Sequence, residues 1–265
     1  MNVFEEDSNL NLENILIKNK FELDENSKII LEKTIKHIKI DVGLSFDVPH
    51  SQNWIDNDMN NKNDTVVFGF EANKNWINYI TSPIKNNNFE DFHTSTIALK
   101  YEHLYNKFFI VPVALGNVDK PKYMDFYTPK LSQGCCSLLP PNPHSIIGNI
   151  VDTYKVPVFN LCNFFDLIPF DKIEYIDYLK VDVQGYDINV LKGAGKYLSE
   201  KVVYVTAEPE TTQYLNSEDN STENIVTYMR SLGFTYISHQ NTSDPTFLNN
   251  KFIDKADDIY IWQKY

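Results

Sequence analysis

One short stretch, residues 178–194, constrains the fold of this chain more than any other, and it reads YLKVDVQGYDINVLKGA. Ahead of its acidic turn, Leu179 and Val181 follow the pattern of a buried strand. After the turn, Ile188 and Leu191 stand at helical spacing before a glycine. The stretch therefore predicts a strand, a turn and a helix in succession. In open α/β sheets the carboxyl end of such a strand faces a ligand crevice, so the turn is where we expect chemistry.

The polar residues of that turn differ in how well a structural role explains them. Asp187 begins the predicted helix, so we interpret it as a helix cap. Asp182 interrupts an apolar strand, where a carboxylate is costly unless a partner compensates its charge. Asp182, Gln184 and Gly185 are therefore candidates for a functional role, and Asp182 is the foremost.

Length and charge narrow the class of protein. A chain of 265 residues can bury a full core as one large α/β domain. Its formal net charge of −12 opposes attraction to phosphate backbones, so nucleic acid is not an expected partner. The cysteines Cys135, Cys136 and Cys162 give neither a disulfide framework nor the spacing of a zinc site. The acidic amino terminus, and the lack of a window of ~18 apolar residues, predict a soluble, cytoplasmic protein without a membrane partner.

Apolar runs along the rest of the chain predict the remaining strands, within a single domain that spans residues 1–265. They fall at residues 37–42, 65–70, 108–115, 123–128, 201–207, 234–237 and 257–262, with an edge strand and a short helix across residues 156–170. Residues 1–36 carry apolar residues at helical spacing and predict one or two lead-in helices. Residues 120–145 predict a hairpin and a loop inserted over the crevice, and residues 238–250 predict a polar loop.

The first two predicted strands end in carboxylates. Asp41 lies near the end of the first strand, shortly before Gly43, and Glu71 follows the second strand. A glycine at such a turn lets the backbone approach a ligand closely. The spacing is that of a βαβ unit whose second carboxylate accepts both hydroxyl groups of an adenosine ribose. The two strand ends therefore predict a nucleotide-cofactor site, with Glu71 as the ribose acceptor.

A second pair of carboxylates ends two neighbouring strands of the predicted sheet. Asp182 lies at the end of one strand, and Glu208 follows the strand at residues 201–207. Paired carboxylates at strand ends suit general-base catalysis, a hard metal ion or the recognition of hydroxyl groups. The residues alone leave these three uses open.

The order of the elements, together with residues 178–194, resembles the FkbM-like family of S-adenosylmethionine-dependent methyltransferases. The resemblance covers residues 37–210. The matching positions are Asp41, Val42, Gly43, Phe70, Glu71, residues 113–116, Lys180, Asp182, Gly185, Val190, Leu191, Gly193, Ala194, Glu208 and Pro209. Gln184 departs from the family pattern, in which a glutamate is usual. Ser45 and Asp47 stand where small or glycine residues are common.

The resemblance implies a fold and an activity. The implied fold is that of class I methyltransferases, a Rossmann-like α/β fold. Its seven-stranded, mostly parallel sheet has helices on both faces and an antiparallel last strand. The implied activity is transfer of a methyl group from S-adenosyl-L-methionine to a hydroxyl group of an acceptor, which is a sugar or a glycosylated small molecule. A divalent metal ion is not expected, although Asp182 and Glu208 are the residues that would hold one.

Site residues follow from the resemblance and from the strand ends. The expected cofactor-binding residues are Asp41, Gly43, Leu44, Ser45, His50, Glu71, Ala72, Ala114 and Asp182. The expected acceptor-binding residues are Gln133, Ser137, Gln184 and Asn241. A hydroxyl acceptor needs a base for its proton. The expected bases are Asp182, Glu208 and His239, followed by His144.

Two other functions stay open at the level of sequence. A NAD-dependent sugar-nucleotide oxidoreductase would share the first βαβ unit and the ribose acid. The sequence lacks its GxGxxG pattern, and no Tyr-x-x-x-Lys pair follows the third strand in a helical context. A methyltransferase fold without activity, serving as a binding protein, is favoured by the altered residues Ser45, Asp47 and Gln184. Binding of S-adenosylmethionine, of NAD or of neither separates the three functions. The oligomeric state is not predicted.

Overall fold

The described part of the chain forms two β-sheets, with helices packed on the larger one. The computed structural model describes residues 10–46, 48–56, 64–83, 99–129, 134–147, 150–237 and 244–259. The strands are β1 (His37–Val42), β2 (Thr65–Phe70), β3 (Phe108–Val111), β4 (Ala114–Gly116), β5 (Lys122–Pro129), β6 (Ile150–Asn160), β7 (Ile176–Val181), β8 (Val202–Ala207), β9 (Phe234–Ile237) and β10 (Thr246–Asn249). The α-helices are α1 (Leu12–Lys18), α2 (Pro49–Asp56), α3 (Lys74–Ile80), α4 (Leu161–Phe165), α5 (Asp187–Gly193), α6 (Tyr197–Lys201) and α7 (Thr222–Ser231). Short 3-10 helices lie at Tyr101–His103, Glu218–Asn220 and Asn250–Asp258.

The larger sheet has the strand order β3-β2-β1-β7-β8-β10-β9. The first five of these strands are parallel, and β10 is antiparallel to both β8 and β9. The order reverses at β1, which has β2 on one side and β7 on the other, so a crevice opens at the carboxyl ends of these strands. The expected α/β fold, with a seven-stranded, mostly parallel sheet and an antiparallel last strand, is confirmed.

Both faces of the larger sheet are covered, so its central strands are buried along nearly their whole length. On one face, Ile38 and Phe68 pack in a core cluster to which α1, α4, α5, α6 and α7 contribute. On the other face, Val67 and Val203 pack with residues of α2, α3 and the 3-10 helix at Asn250–Asp258. Successive residues of β2 thus enter opposite cores, as the two-residue period of a strand requires.

The predicted strand at residues 108–115 is wrong in its extent, because the structure breaks it in two. β3 ends at Val111 and pairs with β2, whereas β4 begins at Ala114 and pairs with β6 in the smaller sheet. Pro112 lies between them and has no backbone N–H to continue a strand ladder. The Val113 amide donates to the Val111 carbonyl at 2.9 Å, which turns the chain from one sheet into the other.

The smaller sheet has the strand order β4-β6-β5, so the expectation of an edge strand within residues 156–170 is wrong. β6 is the central strand, antiparallel to β5 along its length and parallel to β4 over residues 158–160 only. Pro157 lies just before that short register, so β4 does not need the N–H that proline lacks. The sequence pattern of one strand carries no information about which partners lie on its two sides.

The chain after β5 belongs to the insertion expected over the crevice, and we call residues 134–142 the cap segment. Ser137 and Tyr127 exchange backbone hydrogen bonds at 2.8 and 3.1 Å, which ties the cap segment to β5. The Leu215 amide donates to the Pro140 carbonyl at 2.9 Å, which ties the cap segment to the loop after β8. The cap segment is therefore fastened at both sides.

The predicted last strand at residues 257–262 is wrong at its start, because Asp257 belongs to a 3-10 helix. Residues 260–262 lie outside the described residues. The last described strand is β10, inside the segment expected to be a polar loop. Phe247 anchors β10 because its side chain is fully buried. The Asn249 side chain accepts the Lys251 amide at 3.1 Å and so begins the following helix.

Of the one or two lead-in helices expected, the described part of the chain contains α1. The second apolar group, which includes Ile29, is not helical. The Asp24 carboxylate accepts the amides of Asn26 and Lys28 at 2.9 and 2.8 Å, and this turn directs Ile29 into the core. Within the described ranges, no helix has the length and hydrophobicity needed to cross a bilayer.

Candidate active site

A cleft lies at the carboxyl ends of β1, β2 and β7, and residues of β5 and the cap segment line its other side. It holds roughly 640 Å3 of empty space when its open mouth is counted, which is within the range of small-molecule sites. The lining combines apolar side chains, such as Leu115, Phe126 and Leu138, with the carboxyl groups of Glu71 and Asp182. An apolar cleft with a few polar groups is the usual form of a cofactor site.

Gly43 fixes the ends of β1 and β7 against each other. Its φ is +85°, and a Cβ atom at this position would lie 1.8 Å from the carbonyl oxygen of Asp182. Beside it, the Asp182 amide donates to the Val42 carbonyl at 2.9 Å. Gly43 was expected to let the backbone approach a ligand, but the structure shows that a glycine is required here for the close contact with the Asp182 backbone. That contact holds the loop after β1 beside the Asp182 backbone.

Glu71 follows β2, is 7% exposed and lines the cleft. Burial raises the pKa of its carboxyl group to about 7, against the opposing effect of the backbone amides that face it. The Asn73 amide donates to it at 2.6 Å, and the amides of Leu44 and Ser45 also face it. Glu71 thus joins the loops after β1 and β2, and its charge changes near neutral pH.

The other residues expected around the cofactor differ in where their side chains lie. Leu44 is 2% exposed, and its side chain packs against the backbone of Gly69 in the core. Ser45 lines the cleft with a φ of +58°. Ala72 and Ala114 also line it and are nearly buried. Leu44 can therefore act towards the cleft only through its backbone.

Asp41 and His50 lie near Lys180 and do not line the cleft. Asp41 is buried, accepts the Ser51 hydroxyl at 2.7 Å and lies 3.8 Å from the Lys180 ammonium group. Burial raises the pKa of Asp41. Burial, together with the charge of Lys180, lowers the pKa of His50 to about 3, so its imidazole is neutral. Asp41 and His50, which were expected to bind the cofactor, therefore lie beside the buried Lys180 ammonium group instead.

Lys180 is a site residue that sequence reasoning did not select. Its ammonium group lies 3.2 Å from a carboxylate oxygen of Asp182, and 10% of its side chain is exposed. Desolvation acts to lower the pKa of Lys180, but Asp182 and Asp41 outweigh it and raise the pKa above its usual value. A strand has a period of two residues, so Lys180 and Asp182 share a face. This spacing is the signal that could have identified the ion pair.

Asp182 and Glu208, which we call the acid pair, are hydrogen-bonded to each other, and this contact requires one proton between them. For Asp182, desolvation opposes ionisation, but the Lys180 ammonium and the hydrogen bonds to its oxygens hold the pKa well below its usual range. The hydrogen bond to Asp182, followed by burial, raises the pKa of Glu208. Asp182 is therefore the ionised partner at neutral pH, and Glu208 carries the proton.

Gln184 holds the acid pair together. Its amide nitrogen donates to Asp182 at 2.8 Å and to Glu208 at 3.0 Å. Its amide oxygen accepts the Tyr214 hydroxyl at 3.0 Å. A neutral donor thus bridges two acids at a position where a third carboxylate would repel both. Gln184 also lines the cleft, as expected of a residue near the acceptor.

The interpretation of Asp187 as a helix cap is wrong. The residue before α5 is Tyr186, and Asp187 is the first helical residue, fully buried. One of its oxygens accepts the amides of Val183 and Glu208, each at 3.4 Å, and the other accepts the Asn220 side-chain amide at 3.2 Å. Burial raises the pKa of Asp187 to about 8. Asp187 therefore joins the ends of the two strands that carry the acid pair.

The residues expected to bind the acceptor are described only in part. Outside the described residues lie Gln133, His239, Asn241 and also Asp47. Ser137 lines the cleft and is 1% exposed. Its hydroxyl donates to the Gln184 carbonyl at 2.8 Å and accepts the Leu139 amide at 3.1 Å. His144 is exposed and does not line the cleft. The acceptor roles stay predictions, and Ser137 is seen to fasten the cap segment.

Among the described residues, no group of three His, Cys, Asp or Glu side chains is arranged to hold a metal ion. In the acid pair, the carboxylate oxygens face the Lys180 ammonium and the Gln184 amide.

Tyr214 contacts Gln184 and belongs to the loop after β8. No pattern in the sequence indicates that it is a site residue.

A comparison with protein families adds an independent finding. The model of the methyltransferase FkbM domain matches residues 41–236, well over half of the chain. No curated protein and no solved structure gives a significant match. The matched region includes Gly43, Glu71 and the acid pair, and the resemblance inferred from these residues is confirmed. Gln184, which departs from the family pattern, also lies within the matched region. The chain belongs to the FkbM methyltransferase family.

Proposed function

We propose that this chain is a class I, S-adenosylmethionine-dependent O-methyltransferase that acts on a hydroxyl group of a sugar or of a glycosylated small molecule. The observation that carries the proposal is the buried Glu71 carboxyl group in the cleft, which Asp182 and the Gly43 turn also line. Membership of the FkbM family supports a methyltransferase, and the strand order supports the class I arrangement.

The cleft suits an adenosyl group in both shape and chemistry. The Glu71 carboxylate would accept hydrogen bonds from the two ribose hydroxyl groups. Leu115, Phe126 and Leu138 would pack against the flat adenine ring. Ser45, in the loop that Gly43 holds against Asp182, would contact the methionine end of the cofactor.

Transfer to an oxygen requires that the chain align the acceptor and take up a proton. S-adenosylmethionine would supply an activated methyl group: attack by the acceptor oxygen would form a C–O bond, leave the C–S electron pair on sulfur and release the hydroxyl proton. The Gly43 contact keeps Asp182 beside the cofactor loop, and Lys180 keeps Asp182 ionised. The proton becomes strongly acidic as the C–O bond forms, so a carboxylate of low pKa is a sufficient base.

The acid pair also supports a hydroxyl-bearing acceptor. The oxygens of ionised Asp182 accept hydrogen bonds, so they can receive one from a hydroxyl group of the acceptor. The net charge of −12 disfavours an acceptor rich in phosphate.

Ligand binding and product analysis test the proposal. We expect S-adenosylmethionine and S-adenosylhomocysteine, but not NAD, to raise the melting temperature. Incubation with S-adenosylmethionine and pools of glycans should yield products that mass spectrometry finds heavier by one methyl group. Stabilisation by NAD alone would favour an oxidoreductase, and no response to any of the three ligands would favour an inactive binding protein. Either result would refute the proposal.

The Asp182→Asn variant tests the base separately. It should bind S-adenosylhomocysteine as the original chain does, because Glu71 is unaltered, and lose turnover by ~100-fold or more. Full activity in this variant would remove Asp182 from the mechanism.

A further inference from the structure

Tyr214 links the cap segment to the acid pair through a single hydroxyl group. The hydroxyl oxygen lies 2.9 Å from the carbonyl oxygen of Cys135, in the cap segment, and 3.0 Å from the amide oxygen of Gln184. Both of these oxygens are acceptors, so the single hydroxyl proton is shared between them. Tyr214 is 3% exposed, and a Cβ atom at Gly185 would lie 3.0 Å from its ring, so the ring is tightly enclosed.

The Gln184 side chain carries this link on to the acid pair. Its oxygen accepts from Tyr214, so its nitrogen faces Asp182 at 2.8 Å and Glu208 at 3.0 Å. A flipped amide would turn its oxygen towards the ionised Asp182 and lose the bond from Tyr214. Asp182 and Tyr214 therefore favour the same orientation of the amide, and Tyr214 fixes the position from which the amide nitrogen reaches both carboxyl groups.

The loop that carries Tyr214 is bonded to the cap segment at a second place. The Leu215 amide, next to Tyr214, donates to the Pro140 carbonyl at 2.9 Å. The cap segment itself lines the cleft through Cys136 and Leu138, so a ligand in the cleft lies against it. The cap segment therefore connects the lining of the cleft to the Tyr214 loop.

We propose that Tyr214 is a positioning residue that sets the acid pair through Gln184. Cys135 and Pro140 of the cap segment hold the Tyr214 loop where its hydroxyl orients Gln184. Without this hydroxyl, the amide no longer holds the two carboxyl groups together. This inference deepens the proposed function, on which it rests, because it assigns the residue that keeps Asp182, the proton acceptor, in contact with Glu208.

The titration midpoint of Glu208 can be measured without cofactor or acceptor. We expect carbon-detected NMR of labelled carboxyl groups to show Glu208 titrating at alkaline pH, with its signal assigned by Glu208→Gln. In Tyr214→Phe, which removes only the hydroxyl, the midpoint should fall by ~1 pH unit or more, because contact with Asp182 is what chiefly raises it. An unchanged midpoint in a folded Tyr214→Phe variant would overturn the proposal.

Tyr204→Phe is the matched control for this experiment. Tyr204 is also buried, and its hydroxyl donates to the backbone carbonyl of Ala256 at 3.2 Å, in the core cluster that α2 and α3 share. We expect this variant to leave the Glu208 midpoint in place. An equal shift in both variants would mean general loosening of the fold and would also overturn the proposal.

A double substitution tests whether Tyr214 acts through Gln184. Gln184→Met keeps the length of the side chain and removes its amide. In this background, Tyr214→Phe should shift the Glu208 midpoint no further, since a residue that acts through another has no effect once the other is removed. A further shift as large as that in the original chain would count against the proposal.

Hydrogen exchange tests the bond between Tyr214 and the cap segment. Amide exchange in residues 134–142 should accelerate about fivefold or more in Tyr214→Phe and stay unchanged in Tyr204→Phe. Equal exchange in the two variants would show that Tyr214 does not hold the cap segment. All of these measurements use the chain without ligands. A failure to bind S-adenosylmethionine would therefore refute the proposed function without changing the result obtained for Tyr214.

Discussion

At the scale of single residues, the charge of each group in the site is decided by its neighbour. Lys180 keeps Asp182 ionised, and contact with Asp182 keeps the proton on Glu208. Glu71 is faced by backbone amides instead, and burial raises the pKa of its carboxyl group to about 7. Asp182 is therefore charged throughout the neutral range, whereas the charge of Glu71 responds to pH there.

Glu71→Gln should weaken the binding of S-adenosylhomocysteine at least tenfold, or by ~1.4 kcal/mol, because two ribose hydroxyl groups lose a charged acceptor. Ribose hydroxyls donate better to the ionised carboxylate, so the affinity of the unaltered chain should rise as the pH increases through about 7. Calorimetric titrations on either side of neutrality check both effects. Unchanged affinity in the variant, or an affinity of the original chain that falls with rising pH, would remove Glu71 from the ribose site.

Gly43→Ala should destabilise the fold more than Gly233→Ala. The two glycines have φ values of +85° and +87°, so an alanine strains the backbone about equally at each, by ~1 kcal/mol. A Cβ at Gly43 would also collide with the Asp182 carbonyl, whereas at Gly233 it meets nothing within 4 Å. Urea unfolding should show a difference of ~2 kcal/mol or more. Equal losses would mean that Gly43 is required for its backbone angle alone.

The carboxyl groups of the site could be predicted from the sequence, but their partners could not. Glu71, Asp182 and Glu208 each interrupt or end an apolar run, where an acid is conspicuous. Tyr214 meets Gln184 only because the loop after β8 folds back over the turn after β7. The distances to Lys180 and Gln184 decide which carboxyl group of the acid pair carries the proton. These distances cannot be derived from the spacing of residues in the sequence.

At the scale of elements, sequence patterns predict strands well where both faces are buried. β1, β2, β7 and β8 are buried along nearly their whole length, and each lies where it is expected. β10 consists of Thr246–Asn249 and is anchored by the fully buried side chain of Phe247. The neighbouring residues in the sequence are mostly polar, so no apolar pattern indicates this strand. The break at Pro112 follows from the proline, but the change of sheet depends on the distant partner β6.

Ser137→Ala tests how the cap segment is fastened. The Ser137 hydroxyl bonds the Gln184 carbonyl and the Leu139 amide, so its loss should lower the free energy of unfolding by ~1–2 kcal/mol. Ser231→Ala removes a hydroxyl that donates to the Tyr228 carbonyl at an exposed site, and it should cost less than ~0.5 kcal/mol. Urea unfolding compares the two variants. If Ser137→Ala is as mild as the control, the hydroxyl does not fasten the cap segment.

At the scale of the whole molecule, the fold holds several acids in positions where they keep their protons. Burial raises the pKa of Glu71 to about 7 and that of Asp187 to about 8, and contact with Asp182 raises that of Glu208. The unfolded chain would release these protons at lower pH. The net charge of −12 adds a repulsion that salt can screen.

The melting temperature should therefore fall as the pH rises from about 5 to 8. A carboxyl group with a raised pKa stabilises the fold fully below its unfolded pKa, near 4, and this contribution is lost as the pH passes its folded pKa. Asp182 has a lowered pKa, so its contribution is lost only in more acidic solution, outside this window. The lowered pKa values of His50 and His103 oppose the trend below pH ~6.5, but the three acids with raised pKa values outnumber them. Thermal unfolding in high salt checks the trend, and Glu71→Gln should make it shallower. A melting temperature that rises across this range would disprove the assigned protonation states.

A crystal structure with S-adenosylhomocysteine tests the cofactor site most directly. We predict ribose hydroxyl groups within hydrogen-bond distance of Glu71, adenine against Phe126 and Leu138, and the sulfur on the side of Asp182. A ligand bound outside this cleft, or bound within it with its ribose turned away from Glu71, would contradict the assignment of the cleft as the methyl-donor site.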